Sequence, residues 1–119
     1  MTDSDDTRPP EPCVMQLTVG TDGRRSVLGG PPQTAGMRSG VVVLQPGASV
    51  GRHNTGAREE IVVVLEGLGE VRVAGIPPLA VGSGTAAYVP PRCSHDVVNT
   101  GARPLRYVYV VAPVALEAR

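Results

Sequence analysis

From Cys13 onward, apolar and polar residues alternate over short runs, and each run is closed by Gly or Pro. A period of two puts successive side chains on opposite faces of an extended chain, so these runs read as half-buried strands. The pattern predicts strands over 14–19 (VMQLTV), over 24–28 (RRSVL) beyond the turn Thr21-Asp22-Gly23, and over 37–45 after a loop of Gly and Pro. Further runs fall at 59–67, 69–75, 85–91, 95–101 and 104–113. Only the last residues, 113–119 (PVALEAR), suggest a helical period. Many short strands separated by turn chemistry predict an all-β sandwich or barrel. Residues 1–12 are acidic and rich in Pro, the composition of a disordered tail.

Composition narrows the reading. A chain of 119 residues is one domain, long enough to bury a core without disulfides. Hydrophobic residues make up 41%, which excludes disorder throughout, and 15 Gly with 12 Pro leave no room for long helices. Eleven basic and eleven acidic residues cancel. That balance argues against an electrostatic grip on nucleic acid or on an anionic membrane. All the basic residues are Arg; without Lys there is no Walker A loop and no Schiff-base nucleophile. Cys13 and Cys93 make no zinc-ribbon spacing. The acidic start does not read as a secretory leader, and the longest apolar stretch, 108–116, is short and broken by Pro. The expectation is a soluble cytoplasmic protein with reduced thiols and neither a nucleic-acid nor a membrane partner.

Candidate chemistry gathers around the only two histidines, His53 and His95, each at the mouth of a predicted strand. Between them lies Glu59-Glu60. Two His and one carboxylate form a recurrent metal-ligand set. Alternation puts Glu60 on the face of Val62 and Val64, and Glu59 on the other, so only one of the two acids can point inward. Taken singly, the histidines are better read as strand-edge residues with structural hydrogen bonds. Ser94-His95-Asp96 spells a hydrolase triad in letters only, because neighbours in a strand diverge. Tyr107 and Tyr109 share a face with Leu105 and Val111 and are expected to turn inward; with Arg92 they are the candidate substrate-contacting, catalytic residues. Asn99 shares parity with His95 and is placed to brace the turn Thr100-Gly101. Cys93 reads as a small structural thiol.

Two segments resemble the paired motifs of the cupin family. In 47–67 (GASVGRHNTGAREEIVVVLEG), Gly47, His53, Glu60 and Gly67 fall in the register of the first motif, which favours Glu60 over Glu59. In 84–99 (GTAAYVPPRCSHDVVN), Gly84, Pro90, His95 and Asn99 fall in that of the second. Thr55 stands where the first motif has its second His, and Arg92 where the second motif has Gly. The resemblance implies a single jelly-roll β-barrel domain over 13–119. It also implies one divalent transition metal, Fe, Zn, Ni or Mn, on His53, Glu60 and His95. It further implies a metal-dependent small-molecule enzyme, such as a dioxygenase, an isomerase or a polyketide-type cyclase. The Thr55 departure keeps a second reading open, a non-catalytic ligand-binding or sensing barrel with a degenerate site. Edge strands need cover, and the 14–19 strand is expected to pair across a homodimer, as the resemblance also implies.

Overall fold

Eight strands form where the alternation places them, with two differences. The computed structural model describes residues 9–115. The strands are β1 (Arg24–Gly29), β2 (Arg38–Leu44), β3 (Arg58–Glu66), β4 (Leu68–Val73), β5 (Leu79–Gly82), β6 (Ala86–Val89), β7 (His95–Asn99) and β8 (Leu105–Pro113). They build a five-stranded antiparallel sheet, β1-β2-β8-β3-β6, facing a three-stranded one, β5-β4-β7. The described residues contain no helix, and none is long and apolar enough to cross a membrane. The predicted helical period at 113–119 and the tail at 1–12 fall largely outside the described residues.

The two inner faces close on a core of β-branched side chains. Val42, Leu44, Val62, Val64, Val71, Val73, Val81, Val89, Val97, Leu105 and Tyr107 are buried in one cluster. With no Phe or Trp available, mostly Val, with two Leu, Ala87 and one Tyr, fills the space between the sheets. Val packs well on a pleated surface, and each fully buried Val is worth about 1.5–3 kcal/mol. Register carries the same face across strands: Glu60 lies opposite Val111, Val62 opposite Tyr109, and Val64 opposite Tyr107. Gly67 closes β3 with φ +95°; a Cβ there would come 2.6 Å from the Pro104 carbonyl oxygen, so only Gly lets the two chains pass.

The expected strand at 14–19 is a correction. These residues form neither strand nor helix, and Val14 is 97% exposed. The turn before β1 does form: the Gly23 amide donates to the Gly20 carbonyl (3.0 Å), and the Arg24 amide to the Asp22 carboxylate (3.1 Å). Beyond it, β1 takes the edge of β2 and leaves 14–19 behind. Alternation alone does not make a strand when neither face has anything to bury against. A hydrogen bond from the Arg106 guanidinium to the Leu17 carbonyl ties this segment to the sheet. β5 is the converse. Four residues between Pro77-Pro78 and Gly84 are too short to read as a strand, yet they pair with β4 along its length.

Candidate metal centre

The segment joining β2 to β3 runs along the free edge of β7. The Val50 amide donates to the Val97 carbonyl (2.9 Å), and His53 and His95 exchange both backbone hydrogen bonds (2.9 and 2.8 Å). This pairing sets the two imidazoles side by side, ring centres 4.2 Å apart and planes inclined by 58°. Glu60 enters from the opposite sheet, on the inner face that its parity with Val62 requires. Glu59 turns outward and accepts the Tyr88 hydroxyl (2.8 Å). The structure thus brings together the three residues singled out from the sequence: their ligand atoms all lie within 4.8 Å of one another.

Both rings are oriented by backbone. The Nδ1 of His53 lies 2.8 Å from the Gly51 carbonyl, and that of His95 lies 2.9 Å from the Cys93 carbonyl. A carbonyl only accepts, so each Nδ1 carries the proton and each Nε2 is turned toward Glu60, at 3.9 Å from Oε1 for His53 and 2.9 Å for His95. That is the tautomer and aim a metal-ligating histidine needs. His95 is fully buried and Glu60 only 5% exposed, whereas the His53 side chain is 41% exposed at the cavity side. The hydrogen bond to Glu60 raises the His95 pKa above 6.5; burial opposes the shift, and the Cys93 carbonyl adds to it. A proton therefore bridges His95 and Glu60 where a cation between the three residues would take its place. A nitrogen-and-carboxylate set of this kind fits first-row divalent ions.

Beside His53 and Glu60 lies a cavity of about 400 Å³; His95 is buried behind Glu60 and does not line it. His53, Glu60, Thr55 and Tyr109 line it, with Val42, Val50 and Val111 as its apolar wall. Thr55 shares the His53 side of the loop, but its hydroxyl donates to the Arg58 carbonyl (3.0 Å) and closes the turn into β3. Burial raises the Tyr109 hydroxyl pKa, the Glu60 charge adds to it, and the Arg24 charge works against it. Gly40, opposite Tyr109 in β2, makes room for the ring: a Cβ there would lie 2.6 Å from Cε2 and Cζ.

The other candidates separate. Tyr107 faces inward as expected but is packed in the core and does not line the cavity; burial raises its pKa strongly. Arg92 also stands apart. It is exposed on the loop before β7 and does not line the cavity. Its part is in the backbone: its amide donates to the Gly56 carbonyl (2.7 Å), and its φ of +61° is the one left-handed non-Gly conformation among the described residues. That is the conformation Gly adopts freely, which explains Gly as the motif residue there. Asn99 is buried and ties the end of β2 to the loop between β7 and β8, donating to the Leu44 and Arg103 carbonyls (2.9 and 2.8 Å) and accepting the Gly101 amide (2.8 Å). Asp96 diverges from His95 and accepts the Gly51 amide (2.9 Å), so Ser94, His95 and Asp96 do not assemble as a hydrolase triad. Three cavity residues escaped the sequence reading: Arg24, Arg25 and Arg52. The paired Arg after a turn, at the head of a strand, was the available signal, since alternation turns one of the two inward.

Two antiparallel sheets enclosing a His-Glu-His cluster define a double-stranded β-helix protein with a candidate metal centre. The chain belongs to the cupin family, whose Cupin domain model matches residues 40–111. Solved structures share the fold. An uncharacterised conserved protein with a double-stranded β-helix domain from Klebsiella pneumoniae superposes with a TM-score of 0.71 at 20% identity, over 87% of this chain and 91% of that one. A predicted oxalate decarboxylase from Thermotoga maritima gives 0.67 at 22%, over 96% and 100%. The Schizosaccharomyces pombe Cnp3 cupin domain gives 0.68 at 21%, over 76% and 64%, so the chain spans just under two thirds of that structure's length. No curated protein matches the chain.

Proposed function

We propose that the protein is a metal-dependent small-molecule enzyme of the cupin type, with one divalent transition metal held by His53, Glu60 and His95. One observation carries this reading. Two imidazoles locked by backbone carbonyls aim their free nitrogens at one buried carboxylate, at the floor of a cavity large enough for a small organic molecule. Bound there, the metal supplies a Lewis acid with exchangeable positions, and two His with one carboxylate suits non-haem Fe(II), as in a dioxygenase, as well as Zn, Ni or Mn. The chain does the rest. Val42, Val50 and Val111 offer an apolar wall to the carbon skeleton of a substrate. Tyr109, its hydroxyl pKa raised, stays protonated at neutral pH and can donate a hydrogen bond to a substrate oxygen.

The test is elemental analysis of protein purified without added metal, beside His53→Ala and His95→Ala. About one equivalent per chain, lost in both variants, is expected; unchanged metal in both ends the assignment. A second reading, a non-catalytic ligand-binding barrel, is favoured by Thr55, whose hydroxyl is committed to the Arg58 carbonyl and leaves three protein ligands. Ligand affinity that is unaffected by a chelator supports the second reading over the first.

A further inference from the structure

The cavity changes character from floor to mouth. Glu60, the one carboxylate lining it, sits at the floor and is already engaged by His95. The middle is valine. At the mouth stand Arg24 and Arg52, both exposed; Arg25, the next residue of β1, lies opposite Val41 on the other face. Among the described residues neither of these two arginines at the mouth is in an ion pair, whereas Arg72, on the other sheet, pairs with Glu70. Arg24 is also held in place: its Nη2 donates to the Val50 carbonyl (3.1 Å), which fixes the guanidinium against the segment leading to His53 and leaves its remaining N–H groups free to bind. The field of Arg24 reaches inward, where it opposes the raised pKa of Tyr107 and Tyr109.

Two guanidinium groups at one opening make it electropositive, and an anion bound between them is favoured over a neutral ligand. A guanidinium fork matches a carboxylate in shape and charge, and the match strengthens as a ligand displaces water from the mouth. We propose that the cavity selects a small organic acid, its carboxylate held by Arg24 and Arg52 at the mouth and an oxygen at its other end facing His53, Glu60 and His95. The proposal rests on the metal reading for its inner contact only. Arg24 and Arg52 are then specificity-determining residues, and the valine wall accommodates the apolar middle of the ligand.

The test uses two probes that differ by one charge. 4-Carboxybenzohydroxamate and its primary amide, 4-carbamoylbenzohydroxamate, carry the same metal-binding hydroxamate; only the first has a carboxylate at the far end. Each is titrated calorimetrically into the zinc-loaded full chain and into Arg24→Gln, Arg52→Gln and Arg24→Lys, with metal content and thermal melting measured on every sample. The expected preference of the wild type for the carboxylate is about tenfold or more, the range of a charge-assisted hydrogen bond. It falls several-fold in each Gln variant while metal content holds, and Arg24→Lys keeps part of it. Equal binding of the two probes, no binding of either, or a preference untouched by both Gln changes overturns the proposal and leaves the metal reading standing if zinc is bound. If the chain takes up no metal, the metal reading fails instead. The same titrations into metal-free protein then decide the proposal by the same preference and its loss. Should Arg24→Gln lose its fold with the Val50 contact, Arg52→Gln carries the decision.

Discussion

Changing Glu60 to Gln separates the two tasks of the carboxylate. In the metal-free protein, Glu60 accepts a hydrogen bond from His95 at 2.9 Å, inside a core where both side chains are buried. A hydrogen bond to a charged group is worth about 1.5–3 kcal/mol and a neutral one about 1 kcal/mol. Gln keeps the size and lets its amide donate to a neutral His95 Nε2, so the net loss is about 1 kcal/mol. Relief of a buried charge reduces that loss further. For a domain of this length the melting temperature falls by roughly 4 °C or less. His95→Ala differs: it strips the partner from a buried carboxylate and opens a cavity, and costs about 3–5 kcal/mol. Metal affinity follows another ranking. Gln offers a neutral oxygen, and the loss of the only anionic ligand weakens binding by about 100-fold or more. The assay pairs thermal melts of chelator-treated proteins at about pH 6, where His95 is protonated, with metal titration against a competing chelator. If Glu60→Gln is destabilised as severely as His95→Ala, or binds metal as tightly as the wild type, the assignment of the carboxylate is wrong.

The pH dependence of the two forms has opposite signs. Because the folded His95 pKa lies above 6.5, the pair stabilises the metal-free fold fully below about pH 6.5, and this contribution is lost as pH rises through the raised value. Metal displaces that proton, so affinity climbs over the same window; melts of both forms from roughly pH 5 to 9 are expected to diverge, and parallel curves contradict the bridging proton. Thr55→Ala removes the hydroxyl bond to the Arg58 carbonyl and is expected to cost about 1 kcal/mol with metal affinity held within about threefold, measured by denaturation and titration. A loss of metal as large as that of His53→Ala would make Thr55 part of the ligand set. Gly40→Ala drives a methyl into the Tyr109 ring and is expected to cost about 1–3 kcal/mol and to change the near-ultraviolet circular dichroism, in a chain whose only aromatics are Tyr.

Much of the centre was legible in one dimension. Alternation decided which of Glu59 and Glu60 turns inward, because the side-chain period of a strand is two and Val62 and Val64 mark the buried face. The same parity put Asn99 beside His95 and Leu105 beside Tyr107 on inner faces, and the spacing of the two motifs singled out His53, Glu60 and His95. Alternation says nothing about which strands become neighbours. Pairing is non-local and depends on which faces find something to bury, so residues 14–19 have the letters of a strand and no partner strand among the described residues of the chain, while the four residues of β5 acquire one from β4. The arginines at the mouth were hidden for the same reason. Only the pairing of β1 with β2, and the path of the 47–53 segment along β7, carry Arg24 to the Val50 carbonyl and to the opening above His53. Distance in space between such segments is set by the packing of two sheets, a property that no local pattern along the chain contains.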